Sequence, residues 1–178
     1  MLKAISKIKG AGRKNTYYIL SDEITLLNRN DKVAFIVDTK WVTELKNLSI
    51  THRIKRNGKL DACCDLMGTD NKMHRVSLGK IVADLETGKV RDLYKGMVYP
   101  YDGEECHHKY ARIDNRACAV LSLIKEEHKK IHMNEYGGNN KSHNFIELEI
   151  TYRINPDTGE VEEYFDDEAL LKYLSLYK

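Results

Sequence analysis

The sequence predicts an α+β protein: antiparallel strands and a helix in the first half, then a histidine-bearing motif, then a β-hairpin and a helix. Three observations predict it. Residues 33–37 are β-branched and aromatic, and residues 145–154 alternate apolar with polar side chains, as strands do. Asn57-Gly58 separates two strand-like runs and is a strong hairpin signal. Apolar side chains at helical spacing follow residues 33–37.

Taken in order, the first predicted strand covers residues 33–37, and Asp38 or Thr39 caps the helix that follows. This helix covers residues 38–48 and carries four apolar side chains at helical spacing: Trp41, Val42, Leu45 and Leu48. Residues 49–55 and 59–67 are the strands of the Asn57-Gly58 hairpin. Residues 73–82 form a short amphipathic helix or a strand, and Gly88 marks a turn.

The C-terminal part is predicted to be an acidic hairpin followed by a helix. A strand over residues 145–154 leads into the turn 155–159, which contains Pro156 and Gly159. A second strand over 160–165 returns, and a helix follows over 168–177. We expect this unit to serve in packing or dimerisation, which leaves a homodimer open as the assembly.

Composition places the chain among ordinary soluble proteins: 178 residues, 42% hydrophobic and 31% charged. No apolar run approaches the roughly 20 residues that cross a bilayer, and no secretory signal is evident at the N-terminus. The expected location is therefore the cytoplasm (that of the host cell, if a phage encodes the chain), without a membrane partner. The four cysteines form no Cys-x-x-Cys pair, so free thiols are expected.

Charge is distributed unevenly along the chain. Residues 145–178 carry nine acidic and three basic side chains, a net charge of −6. Because the whole chain has a net charge of +2, residues 1–144 carry +8. A basic body favours a polyanionic partner, since cationic side chains that contact phosphates release condensed counterions.

Four of the seven histidines lie within 26 residues: His107, His108, His128 and His132. The last two are four residues apart in a helix-forming stretch, so both imidazoles would lie on one helix face and can bind one metal ion. The adjacent first pair would point to opposite faces of a strand, and a bulged or terminal strand would bring both to the site. The order predicted for this region is strand, loop, strand, helix.

This spacing resembles the HNH (ββα-metal) endonuclease family, and the paired histidines with His-x-x-x-His are similar to the colicin DNase branch. The run Asp114-Asn115-Arg116 resembles phage and homing HNH enzymes, as does His74-Arg75 upstream. The specific likeness covers residues 104–134. It implies three regions: a basic α+β, DNA-binding region over 1–98, the ββα-metal motif over 99–140, and the acidic hairpin and helix over 141–178.

The resemblance implies a metal-dependent endonuclease that hydrolyses phosphodiester bonds of double-stranded DNA by nicking or by cutting both strands. It implies His108 as the general base, and His107, His128 and His132 as ligands of one divalent ion. A neutral imidazole suits a base near pH 7. Three imidazoles favour Zn²⁺, Ni²⁺ or Mn²⁺ over Mg²⁺ in affinity, although any of these four is a candidate.

Basic side chains around the motif and on the predicted hairpin are the candidate DNA contacts. A basic hairpin can enter the major groove as a two-stranded ribbon. Solvated surface charge is the competing interpretation for each of these side chains. The candidates are Arg53, Lys55, Arg56, Arg112, Arg116, Lys125 and Lys129.

The chain departs from the family at one position, because Ala119 stands where the family has its central asparagine. That asparagine ties the loop down and holds the base histidine in place. Three interpretations remain open: Asn115 substitutes from a shifted loop, the protein is weak or inactive, or the alanine is an engineered change. The first would make Asn115 part of the catalytic site.

Two other functions compete with the endonuclease. One is a catalytically impaired HNH-fold factor that binds DNA or protein, such as a phage regulator or anti-defence protein, which Ala119 favours. The other is a structural zinc domain that uses Cys106, His107, His128 and His132.

Overall fold

The structure is a computed structural model that describes residues 4–12, 15–29, 33–56, 59–122, 153–154 and 161–162. Over these residues the protein is α+β, with antiparallel sheets and a few short helices, as the sequence predicts. None of the helices in the described ranges is both long and apolar enough to cross a bilayer.

The first sheet is a four-stranded antiparallel meander in the order β1-β2-β3-β4. Its strands are β1 (Ser6–Lys9), β2 (Asn15–Ile19), β3 (Ile24–Arg29) and β4 (Val33–Asp38). The predicted strand over 33–37 is confirmed as β4. The middle residues of β3 and β4 are buried throughout, so the sheet is covered on both faces there.

The helix predicted over residues 38–48 is shorter than expected. A 3₁₀ turn (Thr39–Trp41) leads into α1 (Val42–Leu45), and Val42, Leu45 and Leu48 are buried. Asp38 lies at the N-cap position of this turn, as predicted, but its side chain makes no cap hydrogen bond there. It accepts instead a hydrogen bond from the backbone N–H of Ala117, at 2.7 Å.

The second sheet contains the predicted hairpin. Strands β5 (Thr51–Ile54) and β6 (Leu60–Gly68) pair antiparallel on either side of the predicted turn, which itself lies outside the described residues. β7 (Met73–Ser77) pairs antiparallel with the other edge of β6, and β8 (Val98–Tyr99) pairs parallel with its end.

The segment 73–82, predicted as a helix or a strand, contains both. Its first half is β7, and α2 (Leu78–Glu86) begins directly after Ser77. The turn predicted at Gly88 is confirmed, and its φ of +74° is a conformation that glycine adopts without steric cost.

The two faces of the second sheet differ, because successive side chains of a strand point to opposite sides. One face contributes Ala62, Cys64, Leu66 and Val76 to the main core, which continues into the first sheet and α2. The other face is polar and bears Arg53, Asp61, Asp65, Arg75 and Ser77.

Within the C-terminal part, β9 (Arg153–Ile154) pairs antiparallel with β10 (Val161–Glu162). This pairing agrees with the hairpin predicted around residues 155–159. The helix predicted over 168–177 lies outside the described residues.

Candidate functional site

The motif begins in a loop that lies against the second sheet. The backbone N–H of Ser77, the last residue of β7, donates to the carbonyl of Glu105 at 2.8 Å. The Cys106 thiol donates to the carbonyl of Arg75. The Lys55 ammonium donates to the carbonyls of Cys106, at 2.8 Å, and His107, at 3.3 Å. These contacts attach residues 105–107 to both β5 and β7.

The strand expected at His107 and His108 is not observed. The N–H of His107 donates to the carbonyl of Glu104 at 3.0 Å, and its carbonyl accepts from the N–H of Tyr110 at 3.1 Å. These bonds span three residues, so the backbone turns on itself rather than pairing with a strand. His108 begins the 3₁₀ helix His108–Tyr110, and its side chain lies outside the described part of the structure.

The described imidazole of the pair, His107, is half-buried. Its Nδ1 lies 3.4 Å from the backbone N of Lys109, which donates to it. A neutral ring whose Nδ1 accepts a hydrogen bond carries its proton on Nε2. Binding of a metal ion through Nε2 would move this proton to Nδ1, and the hydrogen bond from Lys109 would then have to break.

Asn115 is fully buried and holds the second half of the loop. Its side-chain amide donates to the carbonyls of Arg112, at 3.0 Å, and Ile113, at 3.1 Å. Its backbone N–H donates to the carbonyl of Ile36, and the N–H of Ile36 donates to the carbonyl of Ile113. Asn115 therefore fastens the loop to itself and to β4.

The Oδ1 atom of Asn115 is buried, faces the start of α2 and has no hydrogen-bond partner within the described ranges of the chain. A Cβ atom added to Gly79 would lie 3.2 Å from this oxygen and 3.2 Å from the carbonyl oxygen of Tyr110. Glycine at the first turn of α2 thus permits the close approach of the loop.

The guanidinium groups of Arg112 and Arg116, both proposed as DNA contacts, make bonds within the motif. Arg112 donates to the carbonyls of Lys109 and Ala119, each at 2.9 Å. Arg116 is 5% exposed and donates to both carboxylate oxygens of Asp114. These contacts give both arginines a role in shaping the loop.

Ala119 lies in the helical residues 117–122 and is 1% exposed. Asp38 of β4 caps the start of this helix by accepting from the Ala117 N–H. Burial raises the pKa of Asp38, and the hydrogen bond from Ala117 acts in the opposite direction. The side-chain amide of an asparagine at position 119 would therefore be buried.

On the hairpin, Arg53 donates from Nε and Nη2 to one oxygen of Asp61, at 2.9 and 2.8 Å. Ser77 donates to the same oxygen at 3.1 Å. Asp61 is fully buried, and its other oxygen, Oδ1, has no partner among the described residues. Arg56, the next predicted DNA contact, is exposed.

Sequence reasoning missed a second charged network beside the motif. Lys80 and Asp84 of α2 are both buried and form an ion pair at 2.6 Å. Asp102 contacts Lys80 at 3.0 Å and also pairs with Lys89, while the Tyr99 hydroxyl donates to Asp84. The spacing of Lys80 and Asp84, four residues apart on a helix, was the available sequence signal.

The remaining predicted site residues are His128, His132, Lys125 and Lys129, and all four lie outside the described residues. Among residues that the structure describes, no three His, Cys, Asp or Glu side chains approach closely enough to hold a metal ion. Three imidazoles form a set that suits Zn²⁺, Ni²⁺ or Mn²⁺.

Comparison with known proteins gives no family for the chain. No protein-family model matches it, and no solved structure matches it. A curated protein that matches is the histidine–tRNA ligase of Micrococcus luteus, which is 28% identical over 105 residues. The match covers 56% of this chain and 22% of the ligase, so it is confined to a part of each. A match of this extent carries no activity to this chain.

Proposed function

We propose that the chain is a metal-dependent HNH-type endonuclease that hydrolyses phosphodiester bonds of double-stranded DNA. The observation that carries the proposal is the binding of the Asn115 amide to two loop carbonyls. The family's central asparagine performs this kind of tethering, and Ala119 cannot. The tether supports Asn115 as the residue that takes over this role.

In this proposal His108 is the general base that removes a proton from the attacking water. His107, on the same loop, and His128 and His132 would hold one divalent ion, either Mg²⁺, Mn²⁺, Zn²⁺ or Ni²⁺. Such an ion neutralises charge on the phosphate and on the departing oxygen. Arg112 binds the carbonyl of Lys109, directly after the two histidines, and Asn115 binds the carbonyl of Arg112, so both would restrain the chain that follows the histidines.

Double-stranded DNA would approach the exposed edge of the hairpin, where Arg56 is exposed. Arg56 is the hairpin residue best suited to a phosphate contact, because Arg53 and Lys55 already bind Asp61 and the motif loop. A single site nicks one strand, and a homodimer would cut both.

The test is cleavage of supercoiled plasmid with Mg²⁺, Mn²⁺, Ni²⁺ or Zn²⁺, measured for the natural chain, His108→Ala and His143→Ala. Loss of a general base lowers the rate by about 10²-fold or more. We expect that loss for His108→Ala and none for His143→Ala, a matched histidine outside the motif spacing. Intact plasmid with every metal, or equal rates for the two variants, would contradict the proposal.

The alanine at position 119, which has no amide to tether the loop, favours a second candidate, an HNH-fold factor that binds DNA or protein without cutting. Ala119→Asn separates the two. If only Ala119→Asn cleaves, the chain is a disabled nuclease and the second function holds. If the natural chain cleaves and Asn115→Ala does not, Asn115 performs the tethering role.

A further inference from the structure

The ammonium group of Lys55 lies where the hairpin meets the motif loop. Its side chain is 13% exposed, and its Nζ lies 2.8 Å from the carbonyl oxygen of Cys106 and 3.3 Å from that of His107. The same Nζ lies 3.7 Å from Oδ2 of Asp61. The ammonium group therefore makes two hydrogen bonds to the loop and an ion pair with the sheet.

The backbone of Lys55 and its ion-pair partner Asp61 are both held by further hydrogen bonds. The backbone N–H of Lys55 donates to the carbonyl of Lys59 at 2.9 Å, which closes the end of the hairpin. Asp61 is fixed from the side by the two bonds from Arg53 and the bond from Ser77. The ammonium therefore joins a rigid sheet to a loop that lies about 50 residues further along the chain.

The carbonyl of His107 receives two donors, the ammonium of Lys55 and the N–H of Tyr110. With its own N–H bound to Glu104, the His107 backbone is restrained on both sides. The direction of the Cα–Cβ bond follows from the backbone, so these bonds also set the direction from which the imidazole extends.

We propose that Lys55 is a positioning residue that holds the histidine loop against the hairpin, and that it is not a DNA contact. The proposal rests on the proposed function only in its cleavage measurement. A lysine that turns towards a phosphate must give up its contacts within the protein, and Lys55 has two hydrogen bonds and an ion pair to lose. Arg56, its neighbour, is exposed and is the matched residue for contact with DNA.

The first measurement is amide hydrogen exchange on the full chain without DNA, for Lys55→Met and Arg56→Met. Lys55→Met keeps the length of the side chain and removes its donors. A hydrogen bond from a charged donor corresponds to about tenfold in an equilibrium, so the amides of His107 and Tyr110 should exchange about tenfold faster. The amide of Leu27 in β3 serves as internal reference and should not change, and Arg56→Met should leave all three unchanged.

The second measurement separates kcat from DNA affinity. Lys55→Met should lower kcat about tenfold and leave the Kd for DNA within about twofold, with partial recovery in Lys55→Arg. Arg56→Met should weaken binding and lower the slope of log K against log salt by about 0.9, as for one lost phosphate contact.

Unchanged exchange at His107 and Tyr110 in Lys55→Met, together with a reduced salt slope, would overturn the proposal and make Lys55 a DNA contact. If the natural chain cuts no DNA, the proposed function fails. The exchange measurement still decides the role of Lys55, so the two failures are distinguishable.

Discussion

The two larger sheets of this protein are built from similar strands but differ in what their side chains do. The first sheet buries apolar side chains, among them Phe35 and Leu27, both fully buried. The second buries one apolar face and carries arginine–aspartate pairs on the other, where the histidine loop is attached. The first sheet therefore contributes mainly to stability, whereas the second sheet also holds the loop of the candidate site.

The largest effect is expected in the first sheet. Phe35→Ala removes a fully buried ring from β4 and leaves a cavity, which should lower the free energy of unfolding by about 3–5 kcal/mol. Urea denaturation followed by circular dichroism measures the change. A loss below about 1 kcal/mol would show that this sheet contributes little to the core.

In the second sheet, Asp61→Ala should cost about 2–4 kcal/mol, because it leaves Arg53 and Lys55 without their shared buried carboxylate. Asp65→Ala is the matched control, since Asp65 pairs with Arg75 on the same face with both side chains 49% exposed. An exposed pair contributes about 0–1 kcal/mol. Equal losses in the two variants, measured by denaturation, would remove the distinction between the buried and the exposed pair.

Gly79→Ala tests how closely the first turn of α2 packs against the loop that contains Tyr110 and Asn115. The added methyl group would meet Asn115 Oδ1 and the Tyr110 carbonyl at 3.2 Å, tighter than ordinary van der Waals contact. We expect a loss of about 1 kcal/mol and faster amide exchange at Asn115. Gly88→Ala is no equivalent control because of the positive φ of Gly88. Unchanged stability and unchanged exchange at Asn115 in Gly79→Ala would show that the junction accommodates the added methyl group.

The smallest effect concerns pH and Asp102. Burial acts to raise the pKa of Asp102, but hydrogen bonds from Lys89, the Glu104 N–H and Lys80 outweigh it and hold the pKa at about 2. Because the pKa is lower in the folded state, the stabilisation is complete above the ordinary aspartate pKa of 3.8 and is lost as pH falls towards 2. Asp102→Asn should therefore show a shallower loss of stability over this interval in acid denaturation. Identical profiles would argue against the lysine pairing.

The strands that could be predicted from the sequence are those whose pattern lies in neighbouring residues. β4 and the β5–β6 hairpin followed from β-branched residues and from Asn57-Gly58. β2 and β3 were not predicted as separate strands, because they are buried along most of their length and show no clear alternation. The boundary between β7 and α2 was missed because apolar residues continue across Ser77.

For the candidate site, the sequence predicted residue types, and the geometry of the loop could not be predicted. The spacing of the histidines drew attention to this loop. The turn at His107 depends on hydrogen bonds to Glu104 and Tyr110, which no sequence pattern predicts. The proposal that Asn115 tethers the loop in place of Ala119 rests on the two carbonyls that the Asn115 amide binds, and these bonds could not be read from the sequence. Arg116, proposed for DNA from its charge, is buried against a carboxylate two residues away.

The contact between β4 and the loop has a consequence for self-association. β4 is an edge strand of the first sheet, and its Ile36 exchanges hydrogen bonds with Ile113 and Asn115 through a parallel bridge. An uncovered edge offers backbone donors and acceptors to another chain and promotes aggregation. The loop that carries the motif thus also caps this edge, and a variant that releases the loop would expose a surface for intermolecular strand pairing.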